Sequence, residues 1–274
     1  MKKKNNTSVY APRESTVFTE FTEQNSKKKG YTTAVVVCIA VAVLAVFLAV
    51  IVYSFFRVET IIIDGVNCYS YENLLETAGI SRGQSIFFVS ESNIKSKLTK
   101  NLPYVHDVGV EIKFPSEVHI EIDEEIPSFY FEMDGEYFLI NSEMKVLERF
   151  LDKNVLIENH PDVMMIKIPE VAKAITCEKV EFVSDFYSKH TADALSSIHK
   201  WERYDKITEI DLSNRFELSV VYDGRIRLSF GSYTDFADKL ELAENMIDYY
   251  SSDVTGTFIL SDVDKGIAQI DSEE

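Results

Sequence analysis

After residue 57 a serine stands three positions ahead of a lysine three times: Ser92 with Lys95, Ser142 with Lys145 and Ser197 with Lys200. That spacing brings a hydroxyl nucleophile within a helical turn of an amine that could take its proton, the S-x-x-K arrangement of acyl-serine enzymes that react with β-lactams. The same chemistry needs an S-D-N element and a K-T-G strand. Here Ser184-Asp185 runs into Phe186, Ser261-Asp262 runs into Val263, and K-T-G is absent. Ordinary surface serines and lysines account for these pairs better than a nucleophile does. The five histidines, His106, His119, His160, His190 and His199, lack metal-ligand spacing, and H-E-x-x-H does not occur. Carboxylates are so frequent, Asp123-Glu124-Glu125 among them, that a pair at glycosidase separation carries little weight against a solvated strand end. No glycine-rich phosphate loop is present. The expectation is no catalytic residue, no cofactor and no metal.

What the chain does is set first by where it sits. Residues 31–56 are 26 consecutive uncharged positions between Lys27-Lys28-Lys29 and Arg57. As a helix they would reach about 39 Å, enough for a hydrocarbon core of about 30 Å with some tilt. A secretory signal would have a shorter apolar region and a small-residue cleavage site, so an uncleaved anchor is expected. Residues 1–30 carry seven cations against three anions, a net of +4, which leaves −21 for the rest of a chain whose total is −17. Excess Lys and Arg stay on the cytoplasmic side, so the C-terminal 218 residues are expected outside, in a single-pass type II protein.

The tail 1–30 is polar, without apolar periodicity, and is expected to be disordered. The acidic exterior argues against nucleic acid, which needs basic patches. Cys38 falls in the span, and Cys68 and Cys177 are too far apart in sequence to indicate a disulfide framework.

Beyond the anchor the elements follow from period and punctuation. Val58 to Asp64 reads as a strand closed by Gly65. Ser70 caps a helix with Leu74, Leu75 and Ala78 on its inner face, and Gly79 ends it. Ser90 or Ser92 opens a second helix carrying Ile94 and Leu98, which Pro103 terminates. The period then becomes two: Val108, Val110, Ile112 and Phe114, then after Pro115-Ser116 the set Val118, Ile120 and Ile122. This β-α-α-β-β unit closes at Pro127. Strands are expected at Phe129–Phe131, Tyr137–Ile140 and Lys145–Leu147, with an Asp134-Gly135 turn. Residues 150–180 show no clear period. A helix over Asp185–Tyr204, a strand over Ile207–Leu212, and a hairpin of Leu218–Tyr222 and Ile226–Phe230 across Asp223-Gly224 follow. Asp235 caps a helix bearing Phe236, Leu240, Ala243, Ile247 and Tyr250, and the final strands are Thr257–Leu260 and Gly266–Ile270. The fold class is α+β: one N-terminal transmembrane helix, a β-α-α-β-β domain, and a mostly β domain with helices on its sheet.

Several segments in this order resemble the FtsQ/DivIB family of bacterial cell-division proteins. Val58-Glu59-Thr60-Ile61-Ile62-Ile63-Asp64-Gly65 resembles the start of its POTRA domain. Gly79-Ile80-Ser81-Arg82-Gly83-Gln84-Ser85-Ile86-Phe87 resembles the turn into its second helix, Leu102-Pro103-Tyr104-Val105 the helix end, Phe114-Pro115-Ser116-Glu117-Val118 the hairpin, and Glu124-Glu125-Ile126-Pro127 the closing motif. Further on, Asp223-Gly224 before a strand ending at Gly231, Lys239-Leu240 in a helix, and Gly256-Thr257-Phe258-Ile259-Leu260-Ser261 continue the likeness. Two positions depart from it: Glu125 stands where the family often has a basic residue, and Asn141-Ser142-Glu143-Met144-Lys145 lacks the glycine usual in that turn.

The resemblance implies a tail over 1–30, a span over 31–56, a POTRA domain over 57–127, an FtsQ/DivIB-type β domain over 128–271 and a short end at 272–274. It implies a non-enzymatic scaffold at the division septum, with FtsB/DivIC-type and FtsL-type single-span proteins as partners and the septal peptidoglycan synthase complex as a further one. The expected contact is β-augmentation on Gly266, Ile267, Ala268, Gln269 and Ile270, with Thr257, Phe258, Ile259 and Leu260 as the neighbouring strand. The alternatives are an anchored wall-active enzyme and a POTRA-bearing secretion component; the second lacks the series of amphipathic strands that a membrane barrel needs.

Overall fold

The computed structural model describes residues 16–250 and 253–271, with side chains from residue 32 onward. The expectations for residues 1–15 and 272–274 lie outside the described residues. Two compact units divide at the Arg57–Val58 bond. The first contains α1 (Thr16–Phe55), within which Thr32–Phe55 is long and apolar enough to cross a membrane. Residues 16–30, expected to be disordered, are helical. Polar composition denies a segment a core of its own, but it does not prevent extension of a helix already nucleated, since each added residue gains a hydrogen bond and Glu, Gln and Lys are good helix formers.

The second unit begins with β1 (Thr60–Asp64), α2 (Tyr71–Ala78), a 3-10 turn at Ile86–Phe88, α3 (Glu91–Asn101), β2 (Val105–Lys113) and β3 (Glu117–Glu124). The strands order as β1-β3-β2, with β1 parallel and β2 antiparallel to β3. The local signals act as their chemistry dictates. Ser70 Oγ accepts the Asn73 amide at 3.2 Å, and Gly79 takes φ 68° to close α2. Leu74, Ala78, Ile94 and Leu98 are buried, as are Val118, Ile120 and Ile122 on alternate positions of β3. Ser90 precedes α3 without capping it; its hydroxyl meets Ser92 Oγ at 3.2 Å instead.

A nine-stranded mixed sheet follows. Its strands are β4 (Phe129–Met133), β5 (Glu136–Ile140), β6 (Val146–Phe150), β7 (Met164–Lys167), β10 (Ile207–Asp211), β11 (Leu218–Tyr222), β12 (Ile226–Gly231), β13 (Gly256–Asp262) and β14 (Lys265–Ile270). They run β14-β13-β12-β11-β10-β7-β4-β5-β6 across the sheet. Between them lie α4 (Lys153–Asn159), a ribbon of β8 (Val171–Lys173) and β9 (Glu181–Phe182), α5 (Asp185–Lys200), and α6 (Phe236–Tyr249), which crosses over between the parallel strands β12 and β13. Apolar residues of α5 and α6, including Leu195, Ile198, Leu240 and Ala243, bury one sheet face with Phe129, Val220, Leu228 and Phe258. A smaller cluster of Tyr130, Leu139, Leu147, Phe150 and Leu156 lies beside α4. The helix expected to Tyr204 stops at Lys200, where Trp201 turns extended. Asp235 stands before α6 with φ 53° and makes no side-chain cap, correcting that expectation.

Candidate functional site

The last two strands lie where the sheet ends. Phe258 and Leu260 of β13 point into the core under α6, and Tyr250 packs its ring 5.2 Å from that of Phe258. Thr257 and Ile259, between them, face the other side. In the antiparallel register Thr257 stands opposite Gln269, Phe258 opposite Ala268 and Ile259 opposite Ile267. Gly266, Ala268 and Ile270 therefore share the helix side of β14, and Ile267 and Gln269 the opposite side. Gly266 lies against α6 so closely that a Cβ would fall 2.2 Å from Met246 Sδ. Gly256 is fixed for a different reason: its φ is 143°, and a Cβ there would meet the Gln269 carbonyl at 2.1 Å.

Backbone direction follows from two bonds. The Asp271 amide donates to the Thr255 carbonyl at 3.0 Å, while the Gly256 amide donates away from β14, to the Arg225 carbonyl at 3.1 Å. Along an antiparallel strand, N–H and C=O of one residue point the same way and successive residues alternate. Ile267 and Gln269 thus turn their backbone groups toward β13, and Gly266, Ala268 and Ile270 turn theirs outward from the last strand of the sheet. Three donors and three acceptors recur every second residue, about 7 Å apart. Ile267 and Ile270, 53% and 50% exposed, give this edge apolar side chains on both faces. All nine residues singled out from the sequence thus fall in β13 and β14, and those of β14 form the edge.

The three Ser–Lys pairs are engaged elsewhere. Lys95 pairs with Asp107 at 2.5 Å, and the Ser197 hydroxyl donates to the Asp193 carbonyl at 2.8 Å. Lys145 Nζ donates to the Val105 carbonyl at 2.7 Å and to Glu125 Oε1 at 3.1 Å. Among the described residues no group of three or more His, Cys, Asp or Glu could hold a metal ion.

A second constellation escaped the sequence reading. Glu125, buried between the two sheets, also accepts from Asn141 Nδ2 at 2.8 Å and lies 3.3 Å from His106 Nδ1. Asn141 Oδ1 in turn accepts the Glu143 and Lys145 amides at 2.9 and 2.8 Å, shaping the turn that lacks a glycine. Met144 supplies the left-handed conformation there, with φ 69°. The two departures from the family pattern are thus partners of each other. Tyr104 adds a second strut, donating to Glu148 at 2.7 Å; burial pushes its phenol pKa up, and the Glu148 carboxylate raises it further. The sequence held one signal for this junction, a carboxylate set next to Ile126-Pro127 at a chain crossing between sheets.

Residues 56–125 match the family model of the FtsQ-type POTRA domain. The "Cell division protein DivIB" of Clostridium acetobutylicum is 24% identical over 197 residues, covering 70% of this chain and 74% of the relative. That of Clostridium botulinum strain Hall is 25% identical over 199 residues, covering 70% and 73%. The "Cell division protein FtsQ" of Rickettsia bellii is 28% identical over 88 residues, 32% of this chain and 33% of the relative. The chain thus carries an FtsQ-type POTRA domain, and over some 70% of its length it is similar to proteins named DivIB.

Proposed function

We propose that this protein is a non-enzymatic scaffold of the cell-division machinery, anchored by α1 with its C-terminus outside the cytoplasmic membrane. At the septum its β14 edge accepts a strand from a DivIC/FtsB-type single-span protein, with an FtsL-type protein in the same complex, and the assembly helps control septal peptidoglycan synthesis. Residues 57–127 act as the POTRA domain and 128–271 as the partner-binding domain. The charge split of +4 against −21 across the apolar segment supports the orientation. The observation that carries the binding reading is the row of outward backbone groups at Gly266, Ala268 and Ile270, which a strand can complete without any special side chain.

Proline separates this from an edge that only closes the core. Ala268→Pro removes an outward donor and leaves the β13 ladder its bonds, whereas Gln269→Pro removes an inward one. In the full chain purified in mild detergent, Ala268→Pro should abolish capture of a DivIC-type partner with little change in melting, and Gln269→Pro should lower the melting temperature. Unchanged capture by Ala268→Pro, or by a folded chain truncated at Asp264, would remove the edge from the account.

A further inference from the structure

Exposed large apolar side chains are few between Val58 and Glu124: Tyr71, Phe87, Phe88 and Phe114. The three phenylalanines are 58%, 85% and 60% exposed, and the rings of Phe87 and Phe114 lie 5.9 Å apart. Singly exposed apolar residues need no explanation, but adjoining rings at one end of a small domain do. Their position is fixed by backbone bonds. The Val58 amide donates to the Gln84 carbonyl at 2.9 Å and the Gly83 amide to the Val58 carbonyl at 2.7 Å, while Glu59 and Thr60 both donate to the Ser116 carbonyl. The segments carrying Phe87 and Phe88 and the turn carrying Phe114 are therefore both stitched to residues 58–60. The opposite end of β3, where Glu124 pairs with Val105, leads instead to the nine-stranded sheet.

Residues 58–60 are also the first to follow the apolar helix. From Phe55, its last residue, to Val58 is three peptide steps, at most about 11 Å of chain. An anchor whose apolar stretch ends at Phe55 thus tethers this end of the domain at the level of the lipid headgroups. We infer that it is a membrane-contact surface, with Phe87, Phe88 and Phe114 seated at the boundary between headgroups and acyl chains of the phospholipid bilayer. Aromatic side chains favour that boundary, and Arg82 and Lys113, exposed at the same end, suit lipid phosphates. Glu59 is exposed there as well, so the rings rather than net charge carry the contact. Three peptide steps of tether and three seated rings would fix the height of the POTRA domain over the membrane, and with it the height of what the second sheet presents.

The inference rests on the anchor proposed above, and its test separates the two. The full chain is reconstituted in phosphatidylcholine vesicles, with or without bromine on the upper acyl chain, and tryptophan emission is recorded. Trp201, 9% exposed in the large core beneath α5 and α6, serves as the internal reference. The added emission of Phe88→Trp, and of Phe114→Trp as a second variant, should fall by roughly half in brominated lipid. That of Phe216→Trp, at an exposed site of the large-sheet region, should not change. Val43→Trp in the apolar helix reports the anchor. Quenching at Val43 with none at positions 88 and 114 overturns the inference alone; a blue-shifted but unquenched tryptophan there means that protein covers the rings, and overturns it too. No quenching at Val43 removes the anchor and the inference with it.

Discussion

Replacing Lys145 with methionine tests whether the two sheets are locked by a buried charge. The Lys145 and Glu125 side chains are 12% and 6% exposed, so neither charge is left to bulk water. Lys145 Nζ bridges Glu125 at 3.1 Å and the Val105 carbonyl at 2.7 Å, tying the turn after β5 to the first residue of β2. Methionine keeps most of the stem's volume and removes the charge. Glu125 then retains Asn141 and the half-exposed His106, and the Val105 carbonyl loses a donor. An exposed pair would contribute about 0–1 kcal/mol, whereas stripping one partner from a buried pair costs about 3–5 kcal/mol. The burial selects the second range. For a folded unit of this size, each kcal/mol moves the midpoint by about 2–4 °C, so a loss of about 3 kcal/mol should lower Tm by about 6–12 °C. Adding Glu125→Leu removes the stranded carboxylate. The double variant should then be more stable than the sum of the two single losses by at least about 1.5 kcal/mol, measured by urea titration of the full chain in detergent. Losses below about 1 kcal/mol, or additivity, would refute the reasoning.

Glu124 accepts the Asn67 amide at 2.7 Å and the Cys68 amide at 3.2 Å, and the Asn67 bond above all holds its carboxyl below the ordinary 4.5. A depressed folded-state pKa stabilises above the unfolded value and ceases to do so as pH falls through the folded one. The Tm advantage of wild type over Glu124→Gln at pH 7 should therefore shrink below pH 4.5, and a constant gap down to pH 3 would contradict it. Met144→Gly relieves a left-handed residue, worth about 1 kcal/mol, but empties a buried site, costing about 2–5 kcal/mol; packing should win, and a higher Tm would show that strain dominates. A fluorescent β-lactam should leave Ser92, Ser142 and Ser197 unlabelled, and a covalent adduct at any of them would reopen the enzyme reading.

The strands and helices of the first sheet were legible because the determinants of each element are local, although the pairing of β1 with β3 is not. Ser70, Gly79 and the alternation of Val118, Ile120 and Ile122 each act within a few residues. The hairpin turns were equally plain: Asp134-Gly135 takes φ 55° and 80°, and Asp223-Gly224 takes 54° and 67°. Residues 150–180 were not, since β7 spans four residues and β8 three, too short to display a period. Yet β7 sits in the middle of the large sheet, parallel to both β4 and β10, and only pairings far apart in sequence place it there. The Glu125 cluster was hidden likewise, because its partners lie 16 and 20 residues away. For the candidate edge, the strands were readable from alternation and glycine punctuation. Which backbone groups face outward needed the register.

Residue-resolved amide exchange across β14, in the full chain with and without a bound DivIC-type partner, tests the central claim most directly. Ile267 and Gln269, whose amides point to β13, should already be protected in the free protein. Gly266, Ala268 and Ile270 should exchange rapidly when free and become protected, by tenfold or more, only in the complex, about the change expected for a newly formed backbone hydrogen bond. A formed complex in which Ala268 and Ile270 exchange as fast as before would contradict the account.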